Sequence, residues 1–212
     1  MKLKKRYYSI LECLRHVKFL QSEEYKDYVR KSDLKKKKRQ PTEKQLLQRS
    51  NFGMANKFAQ HIRTALEIGF KKSRYVTAAN KGMRKFMAEA MVGMYPDNKI
   101  DYCKVAISDG LGAPEILPAV ELSRSGFATL KWSYGHPKRG EPFKRIYVLF
   151  YNGTAKSLMF SDWVGVLSDD GATFKVKPFS EEDEIHCWFF THAKGDHLPS
   201  ASKYIREFNI VA

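Results

Sequence analysis

The second half of the chain, from residue 97 onward, is a succession of short β-type runs separated by turn residues. Asp109-Gly110, Ser125-Gly126 and Asn152-Gly153 are among the turn signals between the runs. The candidate strands cover residues 103–108, 117–122, 127–134, 144–151, 156–160, 172–177, 185–192 and 203–211. Short strands at such spacing are typical of a sandwich or barrel, so we predict an antiparallel β-sandwich domain over residues 97–212.

One of these runs shows the alternation expected of a half-buried strand. Ala128, Leu130 and Trp132 alternate with the residues of the opposite face, Phe127, Thr129 and Lys131. The pattern predicts that Trp132 is a core residue. Asn152-Gly153 further predicts a tight hairpin turn between two neighbouring strands.

The first half has helical spacing of its apolar residues. Helices are predicted over residues 7–20 and 23–31, followed by an exposed Lys-rich linker over residues 32–41, because five adjacent cations repel one another and Pro41 disfavours helix before it. Residues 1–96 are therefore predicted as a basic helical region.

The helices after the linker have recognisable ends. Thr42, with Gln45 at capping-box spacing, predicts the start of a helix of about 30 residues. Thr77 predicts the start of another, which Gly93 and Pro96 end. Four methionines, Met83, Met87, Met91 and Met94, are predicted to line its core-facing side.

The net positive charge is confined to the helical half. Residues 1–100 contain 25 Lys/Arg against 9 Asp/Glu, whereas residues 101–212 contain 13 against 14. The whole chain has a formal net charge of +15. This division indicates a polyanionic partner for the helical half, such as nucleic acid or an anionic surface. The alternative is that the lysines are solvated and keep the protein soluble.

The candidate polyanion-binding residues form two basic runs and one face of the long helix. They are Lys4, Lys5, Arg6, Lys35, Lys36, Lys37, Lys38, Arg39, Arg49, Lys57, Arg63 and Lys71. Such cations contact phosphates and imply no base specificity. Tyr7 and Tyr8 follow the first run and fit either base stacking or helix packing.

Catalytic motifs are absent from the sequence. It has no Gly-x-Gly-x-x-Gly loop, no Gly-x-x-x-x-Gly-Lys-Ser/Thr loop, no Gly-x-Ser-x-Gly elbow and no His-Glu-x-x-His helix. The run from Glu181 to Glu184 is expected to be a solvated loop. Adjacent His186 and Cys187 are expected on opposite strand faces, so neither activates the other. We expect a non-enzymatic protein.

No metal or cofactor is expected either. His192, Asp196 and His197 flank one turn, but no further His or Cys completes a familiar ligand set. The three cysteines at widely spaced positions do not suggest a disulfide framework. No signal peptide or transmembrane run is evident, which by default favours the cytoplasm.

Several short motifs from Pro41 onward resemble an uncharacterised, Bacteroides-like bacterial family, domain of unknown function 6266. The matching residues are Thr42, Gln45, Arg49 and Phe52, then Ile68-Gly69-Phe70-Lys71-Lys72, Tyr95-Pro96-Asp97, Ile100-Asp101-Tyr102-Cys103-Lys104-Val105, Trp132, Tyr151-Asn152, and the run from Ser200 to Tyr204. The resemblance implies a helical part followed by a β-sandwich of immunoglobulin or fibronectin type III style. It implies no activity.

The N-terminus differs from that family pattern. Relatives begin with a Gly-rich segment, where this chain has a charged helical one, and Arg39-Gln40-Pro41-Thr42 replaces their Asn-Pro-Arg-Thr.

The sequence supports two functional hypotheses. One is a basic binding protein that associates with nucleic acid or another polyanion. The other is a structural or interaction subunit of a phage-like, mobile-element or ribonucleoprotein particle.

Overall fold

The computed structural model describes residues 40–71, 74–110, 112–134, 144–193 and 198–211 of the 212-residue chain. The predicted helices over residues 7–20 and 23–31 lie outside the described residues, as do both basic runs and most of the predicted linker. The described elements form one compact unit from Glu43 onward.

Three helices open this unit. They are α1 (Glu43–His61), α2 (Arg63–Gly69) and α3 (Ala78–Glu89). The helix predicted to run unbroken to about residue 72 is interrupted at Ile62, whose ψ of 21° departs from helical geometry. Backbone hydrogen bonds from Ile62 to Phe58 and from Leu66 to Ile62 nevertheless carry the chain across the break. At the start of α3, Thr77 accepts a hydrogen bond from the Asn80 backbone, so the predicted cap is confirmed.

The end of α3 differs from the prediction. The helix stops at Glu89, and Met91–Val92 form strand β1, which pairs antiparallel with β2 (Lys99–Ile100). Gly93 has a φ of +89° in the turn between them, a conformation that suits glycine. Met94 is consequently exposed, while Met83, Met87 and Met91 pack against the core as expected.

Two four-stranded sheets follow. The remaining strands are β3 (Ala119–Ser123), β4 (Phe127–Lys131), β5 (Lys144–Asn152), β6 (Ser157–Val166), β7 (Gly171–Lys175), β8 (Ile185–Ala193), β9 (Lys203–Ile205) and β10 (Asn209–Val211). Their order is β10-β3-β4-β7 in one sheet and β6-β5-β8-β9 in the other. The chain is therefore of the α+β class.

Three sequence predictions need correction here. Residues 103–108 contain no strand, because Asp101 caps a 3-10 turn over Tyr102–Lys104. The run over residues 203–211 divides into β9 and β10, which join different sheets. The pairing is not wholly antiparallel, since β10 runs parallel to β3. The hairpin at Asn152-Gly153 is confirmed, with Asn152 pairing with Ser157 across it.

Strands β5 and β8 are buried on both faces. In β5, Ile146, Val148 and Phe150 join the cluster enclosed between the two sheets, which also contains Trp132. Leu149 and Tyr151 point the other way, into a second cluster with the helices. A strand that is covered on both faces has a continuous apolar sequence instead of an alternating one. The stretch from Ile146 to Tyr151 in β5 shows this pattern.

The helices cover the outer face of the β6-β5-β8-β9 sheet. Phe58 of α1 lies 5.0 Å, ring to ring, from Tyr151 and 6.3 Å from Trp188. It also lies 5.3 Å from Phe86 of α3, so one aromatic side chain joins both helices to the sheet. The division of the chain near residue 96 remains a prediction, but the helices and this sheet share one core.

Candidate functional site

The predicted site residues within the described part lie at the surface of the helical layer. Arg49 and Lys57 are exposed on α1, about two turns apart, and no ion pair engages either one among the described residues. Arg63 is exposed on α2, where its Nε donates to Glu67 Oε1 at 2.9 Å. Lys71 is exposed too, and its carbonyl accepts from Lys81 Nζ at 2.6 Å. The other eight predicted residues, from Lys4 to Arg39, lie outside the described residues.

The helical layer is positive without the N-terminal runs. Residues 43–96 contain 10 Lys/Arg and only 3 Asp/Glu. Two cations of the β10-β3-β4-β7 sheet and its turns have carboxylate partners, whereas Lys175 of β7 is exposed without an ion pair among the described residues. Lys131 pairs with Glu121 at 3.0 Å, and Arg124 pairs with Glu181 at 2.8 Å. The strongest positive field of the described unit is therefore expected over the helices.

A cleft of about 550 Å³ opens between α1, α2 and the beginning of α3. Two amides, Asn56 and Gln60, line its α1 side, and Ala59, Ala78 and Met83 contribute apolar surface. Its charged and aromatic lining comes from Arg63, Glu67, Arg74 and Tyr75. The volume lies within the range of small-ligand sites, and the lining combines apolar surface with a few polar groups.

Sequence reasoning found one of the two cleft arginines and missed the rest. Tyr75 is 85% exposed, an unusual position for a large aromatic ring, and the Arg74 guanidinium lies 5.5 Å from the centre of that ring. The sequence signal was the Arg74-Tyr75 pair directly before the Thr77 cap. This pair matches no binding motif, so the sequence alone does not identify it as part of a site.

A second group of titratable side chains lies between the sheet and the helices. His186 is buried, its Nδ1 lies 2.9 Å from the Tyr204 hydroxyl, and the ring of Tyr102 stacks on it at 4.0 Å. Burial lowers the pKa of His186, against the weaker opposing effect of Glu184. Burial also raises the pKa values of Tyr151 and Tyr204. Tyrosines are protonated at pH 7 in any case, and burial favours the neutral imidazole of His186 there as well, which suits packing.

The thiol of Cys187 faces the opposite side of β8 from this group. Cys187 belongs to the cluster between the sheets, whereas Tyr102, Tyr204 and Trp188, which surround His186, belong to the helix-facing cluster. Burial raises the pKa of the Cys187 thiol well above its usual value. A thiolate nucleophile is therefore disfavoured at this position.

Metal-binding clusters and membrane-spanning helices are both absent from the described residues. No group of three or more His, Cys, Asp or Glu side chains there is placed to hold a metal ion. Across the same described ranges, none of the helices combines the length and apolar character that a membrane span needs.

Comparison with known families identifies the chain. The model of a family of unknown function, DUF6266, matches residues 20–205. The chain belongs to this family. Among curated proteins and among solved structures, no significant match was found.

The DUF6266 motif residues serve mainly to hold elements together. Gly69 sits so close to the next segment that a Cβ atom would lie 2.1 Å from the Ile107 carbonyl oxygen. Ser202 Oγ accepts from the Ile107 backbone at 2.8 Å, and Ser200 Oγ accepts from the Thr191 backbone at 2.9 Å. These three residues therefore contribute to the fold, whereas Arg49 and Lys71, which also carry the resemblance to DUF6266, are exposed. The cleft and the exposed cations of the helical layer are the candidate functional features.

Proposed function

We propose that this DUF6266 protein is a non-enzymatic binding protein that associates with nucleic acid or another polyanion through its helical layer. The observation that carries the proposal is the separation of charge within one compact unit. The helical segment from residue 43 to residue 96 has 10 basic and 3 acidic side chains, whereas the chain after residue 100 is close to neutral.

Position and pairing support the same conclusion. Arg49 and Lys57 are exposed, and among the described residues nothing neutralises them. An exposed cation without a carboxylate partner is available to displace counterions from a phosphate chain, which is the main source of non-specific affinity for nucleic acid. The runs at Lys4–Arg6 and Lys35–Arg39 add eight cations to the same half of the sequence.

Salt dependence tests the proposal. Fluorescence anisotropy of the full chain with a mixed-sequence RNA or DNA of about 20 nucleotides should show binding at about 50 mM salt that weakens by several powers of ten at about 200 mM. Heparin serves as a second polyanion. Absence of binding to all three at low salt would refute the proposal.

A second function has its own supporting observation. Strand β6 has ten residues and lies at the edge of its sheet, with Trp163 47% exposed and the Arg145 guanidinium 4.8 Å from that ring. Long edge strands with exposed aromatic residues favour pairing with another chain. This supports a structural or interaction subunit of a larger assembly. Light scattering at physiological salt tests it, since a lone monomer with no partner in pull-downs contradicts it.

Two finer features fit the proposed binding role. The order β3-β4-β7 beside β6-β5-β8-β9 supports an immunoglobulin or fibronectin type III style of sandwich, with β10 added at one edge. The free thiols of Cys103 and Cys187 fit a location in the reducing cytoplasm, where nucleic acid is also abundant.

A further inference from the structure

We infer that the cleft between α1, α2 and α3 holds one unpaired base of a single-stranded nucleic acid, with Tyr75 as the stacking surface. The inference rests on the proposed function and specifies its ligand. It makes the cleft the point where the helical layer distinguishes a single strand from a duplex. Its volume of about 550 Å³ is in the range that small-ligand sites occupy.

The aromatic ring is the first part of the argument. Tyr75 contributes to the cleft lining, yet 85% of its surface is exposed to solvent. Exposure leaves a ring face free to stack on a base, and every base offers such a face whatever the sequence. The Arg74 guanidinium lies over one face of the ring, 5.5 Å from its centre, so a base would stack on the opposite face.

The polar lining provides partners for both parts of a nucleotide. Asn56 and Gln60 each offer an amide that donates and accepts hydrogen bonds, as the edges of unpaired bases require. Arg63 and Arg74 are the phosphate partners. The hydrogen bond between Arg63 and Glu67 uses only the Nε of Arg63, which leaves the other two guanidinium nitrogens available. The Glu67 carboxylate can in addition accept a hydrogen bond from a base amino group.

The position of α3 supports the orientation of the ligand. The helix begins at Ala78, which lines the cleft, so the positive end of its dipole faces the ligand. Thr77 already occupies the Asn80 backbone N–H, and the cleft arginines provide the charged contacts. A duplex keeps its bases stacked and paired, so it can use the basic surface but not Tyr75.

The decisive experiment compares a single strand with its own duplex. Anisotropy titrations of the full chain use an RNA of about 12 nucleotides, alone and annealed to its complement, at about 50 mM salt. Three variants accompany the wild type. Tyr75→Leu removes the ring, Tyr75→Phe keeps it, and Tyr95→Leu is a matched control at a tyrosine that is 46% exposed outside the cleft.

The expected result is specific to the ring. Tyr75→Leu should weaken single-strand binding by roughly 5- to 150-fold and leave duplex binding unchanged. Tyr75→Phe and Tyr95→Leu should bind like the wild type. A 2-aminopurine base in the single strand should lose fluorescence on binding wild type, through stacking, and keep more of it with Tyr75→Leu.

The same titrations distinguish an error in the base-pocket inference from an error in the proposed function. Equal loss of single-strand and duplex binding in Tyr75→Leu, or no loss of either, would overturn the base pocket while polyanion binding stands. No binding of the wild type to either nucleic acid would overturn the base pocket, and absence of heparin binding as well would overturn the proposed function.

Discussion

His186 Nδ1 lies 2.9 Å from the Tyr204 hydroxyl and thereby joins the central strand β8 to the short edge strand β9. A neutral imidazole has one donor and one acceptor nitrogen, and a phenolic hydroxyl can pair with Nδ1 in either role. The other ring nitrogen, Nε2, lies 3.6 Å from Glu184 Oε1. That Nε2 is buried and makes no hydrogen bond among the described residues. Burial of the ring lowers the pKa of His186 and therefore favours the neutral histidine.

Removing the Tyr204 hydroxyl should lower the stability of the folded protein. Tyr204→Phe leaves the buried Nδ1 of His186 without its hydrogen-bond partner, and we expect a loss of about 1–3 kcal/mol in the free energy of unfolding. Urea denaturation followed by tryptophan fluorescence measures it. Tyr147→Phe, which keeps the stacking on Phe190, is the control and should change little. Equal effects of both variants would show that the hydrogen bond is unimportant.

Stability should fall in mild acid through His186. Burial lowers the pKa of His186 in the folded protein, so the unfolded chain, with a histidine pKa near 6.5, binds more protons. The contribution is fully present above about pH 6.5 and is lost as the pH falls below it. The measurement is urea denaturation from about pH 7.5 to about pH 5 for wild type and His186→Gln. The stability difference between them should shrink in acid, and parallel curves would contradict this assignment.

Two glycines should respond oppositely to alanine. At Gly69, an added Cβ would lie 2.1 Å from the Ile107 carbonyl oxygen, so backbone must move, and we expect a loss of about 3 kcal/mol or no folded protein. At Gly53 in α1, nothing lies within 4 Å, and alanine should stabilise by about 0.5–1 kcal/mol through helix propensity. Thermal denaturation distinguishes them. Similar shifts for both variants would contradict the close approach at Gly69.

The strand-containing part of the chain, residues 97–212, should not fold stably without the helices. A fragment of residues 97–212 would expose Leu149, Tyr151, Trp188 and Phe190, which the helices cover in the whole protein. We expect it to aggregate or to bind the dye ANS, whereas residues 40–212 should be monomeric and should not. Gel filtration and dye fluorescence decide. A monomeric, cooperatively unfolding fragment would support two separate domains with a boundary near residue 96.

Arg49 and Lys57 should contribute to the salt dependence of nucleic-acid binding. Replacing both Arg49 and Lys57 with alanine should reduce the slope of log affinity against log salt for duplex DNA by about 2, since each phosphate contact contributes about 0.9. Arg124→Ala, at a cation paired with Glu181 on the sheet side, is the control and should leave the slope unchanged. An equal effect of Arg124→Ala would place the interface elsewhere.

Local signals were sufficient where a few neighbouring residues decide the structure. Thr77 predicted a helix start because a hydroxyl at that position accepts the backbone N–H three residues on, and the bond to Asn80 is present. Trp132 was predicted in the core from simple alternation and is buried.

Long-range pairing explains the errors. Met91 continues the apolar spacing of α3, but it pairs with Ile100 in a strand, and no signal within the helix announces that partner. Cys103 to Ser108 has β-type composition, yet the Asp101 side chain accepts from the Cys103 backbone and turns the chain. Arg74 and Tyr75 carry no motif, and only the packing of α1 and α2 beside them makes a cleft.

The double burial of β5 and β8 has a thermodynamic consequence for any ligand of the helical layer. Since helices and strands share one core, we expect them to unfold together, and ligand binding then shifts the unfolding equilibrium of the whole unit by mass action. Intrinsic fluorescence from Trp188, buried between sheet and helices, can therefore report occupancy of a distant surface as a rise in Tm. The protein thus contains its own reporter for ligand screening.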